Sequence, residues 1–286
     1  MFPHIVVFDS GVGGLSIVQS LDQSLGPYQL TYLFDNEFFP YGELSREQLI
    51  LRVTHLLIPL CQRLNPDLLV IACNTASTAV LDSLRSQLTI PVVGVVPAIK
   101  PAAQLTKIGT IGLLATPATI HRTYTDALIQ KFAAHVQVLK LGSSQLVRMA
   151  EQSLTGESIN LADIETILQP WLERSIAPDV IVLGCTHFPL IREPLSQVLG
   201  SAVLIDSGEA VARRIQFLLK SLHRHYQSNS IAASRIAFYT KKNAHSESLQ
   251  AFFIKLNFTQ FNPYPEVLFD HSQDEPLVSV AGTQTH

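Results

Sequence analysis

The sequence predicts an α/β fold of two similar lobes, each a mainly parallel sheet flanked by helices, with the site in the cleft between them. Three observations carry that expectation. Short apolar runs of strand character alternate with segments of helical period along most of the 286 residues. One segment is used twice: Pro66-Asp67-Leu68-Leu69-Val70-Ile71-Ala72-Cys73-Asn74-Thr75 resembles Pro178-Asp179-Val180-Ile181-Val182-Leu183-Gly184-Cys185-Thr186-His187. Each copy places a cysteine at the carboxyl end of a buried strand, where open α/β sheets bind their ligands.

The elements follow in order. Residues 5–8 read as a buried strand, then come a glycine-rich turn and a helix from about Leu15. Residues 30–34 form the second strand. Ser45 and Gln48 have capping-box spacing, and Leu49, Val53, Leu56, Leu57, Leu60 and Leu64 follow at helical period, with Pro59 expected to kink that helix. Strands are expected at 68–72 and 92–96, and again at 108–115 and 136–141. A helix over 161–175 gathers Ile164, Ile167, Leu168, Trp171 and Leu172 on one face. Strands at 180–183 and 203–205, a helix marked by Val211, Ile215, Leu218 and Leu222, and a last strand and helix at 231–239 and 249–256 complete the series. The expected division is 1–98 plus 207–265 for the first lobe and 99–206 for the second, with crossings near Pro97 and Asp206. Periodicity fails past about Pro265, so 266–286 read as a frayed tail.

Composition removes several classes of function. Hydrophobic residues make up 47% and charged residues 15%, a balance that builds cores and argues against disorder. The formal charge is -3 with no basic block, so no nucleic-acid partner is expected. The longest apolar runs are too short to span a bilayer, and the start of the chain has no charged n-region or cleavage site, which makes the cytoplasm the expected location. Three cysteines make no disulfide framework, and the absence of CxxC or Cys/His spacing argues against zinc. Cys61, among Leu56, Leu57, Leu60 and Leu64, reads as core.

Cys73 and Cys185 call for a different reading. A thiol is a strong base and nucleophile once deprotonated, and its free pKa of about 8.5 falls at helix N-termini or beside cations. Both stand where a helix is expected to begin, followed by the donors Asn74 and Thr75 or Thr186 and His187. One such thiol could be a nucleophile. Two facing thiols could instead flank a single carbon, one removing a proton and the other returning it from the far side. Each cysteine alone reads as buried core; the matching contexts turn the reading toward chemistry. Asp9, at the end of the first strand, is either a turn former or a carboxylate able to relay the Cys73 proton. His187 could be a surface residue at a helix start, and Glu151 a solvated helix residue. Gly11-Val12-Gly13-Gly14 suggests a dinucleotide loop, with Asp35 near the end of the next strand, but Ser16 stands where the third glycine is needed. Ser10 and these glycines are therefore expected to line a small pocket. Asp206-Ser207-Gly208 echoes Asp9-Ser10-Gly11 without an evident role. There is no P-loop, no Ser-His-Asp elbow and no identifiable pyridoxal site.

Five segments, taken together and in order, resemble the glutamate racemase family: Phe8-Asp9-Ser10-Gly11-Val12-Gly13-Gly14-Leu15-Ser16, Phe39-Pro40-Tyr41-Gly42-Glu43, Ala72-Cys73-Asn74-Thr75-Ala76-Ser77, Pro91-Val92-Val93-Gly94-Val95 and Gly184-Cys185-Thr186-His187-Phe188-Pro189-Leu190. The resemblance implies cofactor-independent proton transfer at Cα between L-glutamate and D-glutamate, supplying D-glutamate for peptidoglycan. It implies that Cys73 serves the D enantiomer, assisted by Asp9, and that Cys185 serves the L enantiomer, assisted by His187 and supported by Glu151. Asp9, Ser10, Tyr41, Gly42, Asn74, Thr75 and Thr186 would hold the substrate's carboxylates and ammonium. Two departures stand out. Leu141-Gly142-Ser143-Ser144-Gln145 replaces the Cys-Pro or Ala-Pro element common before the glutamate, and Leu44 replaces a commoner basic residue. Some relatives are regulated by UDP-N-acetylmuramoyl-L-alanine and some interact with DNA gyrase; neither has a site readable in this sequence. Monomer and homodimer both remain open.

Three competing readings are separable by experiment. An aspartate racemase would share the scaffold and differ in the side-chain pocket. A thiol hydrolase built on Cys185 and His187 would need one cysteine and form an acyl-enzyme. A two-lobed binding module for acidic amino acids would bind without proton exchange.

Overall fold

The computed structural model describes residues 2–222 and 233–265. In chain order the elements are β1 (His4–Asp9), α1 (Leu15–Ser24), β2 (Gln29–Phe34), a 3-10 turn (Tyr41–Glu43), α2 (Arg46–Leu64), β3 (Leu68–Ile71), α3 (Asn74–Gln87), β4 (Val92–Gly94), α4 (Ile99–Leu105), β5 (Thr110–Ala115), α5 (Pro117–Ile120), α6 (Thr123–Phe132), β6 (Gln137–Gly142), α7 (Gln145–Leu154), α8 (Leu161–Leu172), β7 (Val180–Leu183), a second 3-10 turn (Phe188–Ile191), α9 (Arg192–Leu199), β8 (Val203–Ile205), α10 (Gly208–Ser221), β9 (Arg235–Tyr239), α11 (Ala244–Lys255) and β10 (Gln260–Pro263).

They form two parallel sheets. One has six strands in the order β10-β9-β2-β1-β3-β4, and the other has four in the order β6-β5-β7-β8. The period of two along each strand sorts its side chains between two cores. Ile5 and Val7 of β1 join Leu68 and Val70 of β3 beneath α1, α10 and α11, whereas Val6, Phe8, Leu69 and Ile71 face α2 and α3. In the smaller sheet Ile181 and Leu183 pack on α7, α8 and α9, while Val180 and Val182 pack on α4. Each fully buried Leu, Ile or Val contributes about 1.5–3 kcal/mol, so strands buried on both faces anchor the whole architecture.

Local signals act as expected at several points. Ser45 Oγ accepts from Gln48 N, and the Gln48 side chain accepts from Ser45 N, closing the capping box of α2. That helix runs through Pro59 without interruption. The helix expected over 161–175 ends at Leu172, and the strand expected over 231–239 begins at Arg235, with Ile231 and Ala232 outside the described residues. The tail 266–286 also lies outside them. One expectation is corrected. No α-helix starts directly after Cys185: a turn leads into the 3-10 segment Phe188–Ile191, and α9 starts only at Arg192. Pro189, with fixed φ and no N–H, sits at the start of that tight turn. β10 was not anticipated.

The two sheets meet at their carboxyl ends. Cys73 lies two residues beyond β3 and Cys185 two residues beyond β7, so the duplicated segments deliver both thiols to one seam. Between the sheets the backbone passes through residues 95–98 and returns through Asp206 and Ser207, where Ser207 Oγ donates to the Val96 carbonyl at 2.5 Å. Among the described residues no helix is long and apolar enough to cross a membrane.

Candidate active site

Cys73 is the N-cap of α3. Its sulfur accepts from Ala76 N at 3.5 Å and lies 3.8 Å from Ser10 Oγ. Asp9, fully buried at the end of β1, accepts from Ser10 N at 2.7 Å, from Gly14 N at 2.5 Å and from Thr186 Oγ1 at 3.1 Å. Burial raises the Asp9 carboxyl above its ordinary value, against the charge of His187 and hydrogen bonds from Ser10, Thr186 and Cys73. Burial also pushes the Cys73 thiol well up, and the charges of Asp9 and Cys185 add to it; the Ala76 amide and Ser10 act in the opposite sense. Asp9 links the two sites: Ser10, beside Cys73, donates to it from one side, and Thr186, next to Cys185, donates from the other.

Cys185 is supported differently. His187 Nδ1 lies 3.7 Å from its sulfur, and His187 Nε2 donates to Glu151 Oε1 at 2.7 Å. Glu151 Oε1 also accepts from Val12 N at 2.8 Å, and its Oε2 accepts from His245 Nε2 at 2.9 Å. Burial would lower the His187 pKa, but hydrogen bonds and charge from Cys185 and Glu151 outweigh it, and His187 stands well above its ordinary value. Burial would likewise raise Glu151; the hydrogen bonds from His187, His245 and Val12 and the His187 charge hold it down to about 2. An imidazolium clamped between a carboxylate and a sulfur is the arrangement that supports charge on that sulfur. Phe39 covers the ring, with centroids 5.7 Å apart.

The glycine run explains itself here. Gly11, Gly13 and Gly14 have no positive φ, so what they supply is room rather than dihedral freedom. A Cβ on Gly11 would overlap Glu151 Oε1, and one on Gly13 would overlap the His187 ring. The loop after β1 is therefore the floor on which His187 and Glu151 rest, and no dinucleotide is needed to account for it.

The other expected residues fall around this pair. Asn74, Thr75 and Thr186 are buried at the seam. Asn74 shares the lining of a small cavity with Cys185 and Thr186, and its Nδ2 is buried without a partner. Thr186 joins the sheets twice, through its hydroxyl to Asp9 and through its carbonyl, which accepts from Ser16 Oγ at 2.9 Å. The Tyr41 hydroxyl donates to Asp35 Oδ2 at 2.6 Å, so its side chain is committed to that buried acid. Gly42 packs against Thr116, 3.1 Å from where its Cβ would stand. Sequence reasoning missed three residues. Thr116 and Thr119 form a hydroxyl cluster with Thr75 at 2.9–3.3 Å. His245 completes the Glu151 carboxylate. Thr116 and Thr119 are local partners, Thr116 capping α5 ahead of Pro117; what no local signal shows is that Thr75 joins them or that His245 reaches Glu151.

The two-lobed α/β scaffold, with a cysteine two residues beyond equivalent strands of its two sheets, is that of a racemase. The chain belongs to the Asp/Glu/Hydantoin racemase family, whose model matches residues 13–215, and within it groups with the glutamate racemases. It is 52% identical to the glutamate racemase of Pectobacterium atrosepticum over 221 residues, 77% of this chain and 78% of that one. It is 53% identical to that of Vibrio cholerae over 236 residues, covering 79% of this chain and 88% of the relative. Escherichia coli glutamate racemase, solved with L-glutamate and its activator UDP-MurNAc-Ala, superposes with a TM-score of 0.87 at 44% identity, covering 92% of this chain and 98% of that one.

Proposed function

We propose that this chain interconverts L-glutamate and D-glutamate without a cofactor, through two thiols on opposite faces of Cα. The observation that supports the reading best is the pair Cys73 and Cys185, set at equivalent strand ends, each with its own acid/base support. In the L-to-D direction Cys185, as thiolate beside the His187 imidazolium, takes the α-proton. The Cα–H bond breaks as S–H forms, and the Cys73 thiol then gives its proton to the opposite face. Reversal exchanges the roles. The high Cys73 pKa keeps that thiol protonated, ready to donate. A positioned base contributes about 10²–10⁴-fold. The remainder comes from donors to the developing carboxylate charge, the unpartnered Asn74 amide first, with Thr75, Thr186 and Ser10 joining once substrate displaces their present contacts, and from exclusion of water.

Cys73 and Cys185 are 5% and 6% exposed, so substrate enters only when the sheets part. The division proposed is 1–98 plus 207–265 against 99–206, moving about the crossings near Pro97 and Asp206. The product is proposed to feed peptidoglycan synthesis in the cytoplasm, with UDP-N-acetylmuramoyl-L-alanine as the first activator to test.

Incubating each enantiomer in D₂O tests the reaction. Deuterium should enter Cα with inversion, and glutamate should turn over faster than aspartate. Binding without exchange would leave only an amino-acid carrier, and faster aspartate turnover would reassign the substrate.

A further inference from the structure

His245 is the second residue of α11, in a first turn fixed by the Asn243–Ser246 capping box. Its Nε2 reaches Glu151 Oε2 at 2.9 Å, while the other carboxylate oxygen is taken by His187 and the Val12 amide. Four side chains thus stand in line: His245, Glu151, His187, Cys185. Side-chain exposure falls inward along the line, 36% for His245, 7% for Glu151 and 2% for His187. The line also crosses the seam, because α11 packs on the six-stranded sheet through Leu249 and Phe253, whereas α7 packs on the four-stranded one through Leu146, Val147 and Ala150.

The geometry points to His245 as a positioning residue for the Cys185 half of the reaction, fixing the Glu151 carboxylate on His187. The inference rests on the racemase reading above. A carboxylate's terminal torsion is broad and two-fold, so anchoring its second oxygen removes the freedom that would let it leave the imidazole. With its second oxygen held by His245, the Glu151 carboxylate stays on the His187 imidazole that stands beside the Cys185 sulfur.

Racemisation has an equilibrium constant of one, so kcat/KM is equal in both directions whichever half is impaired. The asymmetry must be read in kcat with each enantiomer saturating. The experiment compares the wild-type chain with His245→Ala and His245→Gln, measuring kcat and KM from L-glutamate and D-glutamate, together with Tm. His245→Ala should lower kcat from L-glutamate about tenfold, the loss expected of one charge-assisted hydrogen bond, with the KM for L-glutamate changed less than about twofold. The equal fall in kcat/KM from D-glutamate should then come through a higher KM more than a lower kcat. His245→Gln, whose amide still donates to Oε2, should recover to within about threefold of wild type. If the alanine variant fails to fold, His245→Leu, which fills the space without a donor, takes its place. An alanine or leucine variant altered in Tm alone, or a glutamine variant no more active than either, would overturn the assignment. A wild-type chain that does not racemise glutamate would sink the underlying reading instead.

Discussion

The Cys73 and Cys185 sites begin from nearly the same ten-residue sequence and end in different chemistry. Around Cys73 the support is a helix N-terminus, a weak contact from Ser10 and a buried Asp9 with three donors of its own. Around Cys185 there is no helix start, and a chain of titratable groups takes its place. The duplicated strand fixes where each sulfur sits. What surrounds each sulfur differs: the last position of the duplicated segment is Thr75 in one copy and His187 in the other, and Ser10, Asp9 and Glu151 come from outside it. Burial raises the thiol of one half, and an imidazole whose own pKa is raised stands beside the sulfur of the other.

The largest test of that contrast is removal of the sulfurs themselves. Cys73→Ala and Cys185→Ala should each lower racemisation by about 10³-fold or more, measured as loss of optical rotation from either enantiomer. Full activity in either variant would end the two-base account. Next, Gly13→Ala should cost at least about 10²-fold in kcat, because the new methyl displaces His187 from near-attack geometry. Gly26→Ala, where a Cβ meets nothing within 4 Å, is its control and should leave activity and Tm unchanged.

Glu151→Gln should lower kcat by about 10–100-fold and should alter stability with a definite sign. The folded Glu151 pKa is depressed to about 2 from 4.5, so its contribution is present above pH 4.5 and is lost as pH falls toward 2. Wild type should therefore lose Tm more steeply than the variant across that acid window. His187 has the opposite sign: its folded pKa is raised from 6.5, so its contribution is complete below pH 6.5 and is lost as pH climbs through the higher folded value. The smallest effect belongs to the other half. Ser10→Ala removes a 3.8 Å contact and should cost less than about tenfold in kcat. A Ser10 effect larger than that of Glu151 would reverse the ranking of the two supports.

Much of this was legible in the sequence because the signals were local. Strands 180–183 and 203–205 appear at the expected residues, and the capping box at Ser45 closes as its spacing implied. β10 was not legible: Gln260-Phe261-Asn262-Pro263 has a single large apolar residue and ends in proline, which an edge strand tolerates. The late helix start after Cys185 was hidden by sequence likeness to the Cys73 segment, with Pro189 the one dissenting residue. Glu151 on its own looked like a solvated helix residue; it is buried because Val12, His187 and His245 converge on it from other elements. Thr116 and Thr119 pair locally at the start of α5, but their link to Thr75 was not legible because it forms only where the two sheets meet.

The strand order also bears on how the chain comes to be folded as it leaves the ribosome. β2 pairs on its outer side with β9, Leu30 against Arg235, so this edge stays open until some two hundred further residues have emerged. By then all four strands of the smaller sheet have been synthesised, and they can assemble first. In the interval β2 presents bare backbone donors and acceptors to any neighbouring chain. Truncation before β9 should consequently produce aggregates rather than a weakened enzyme.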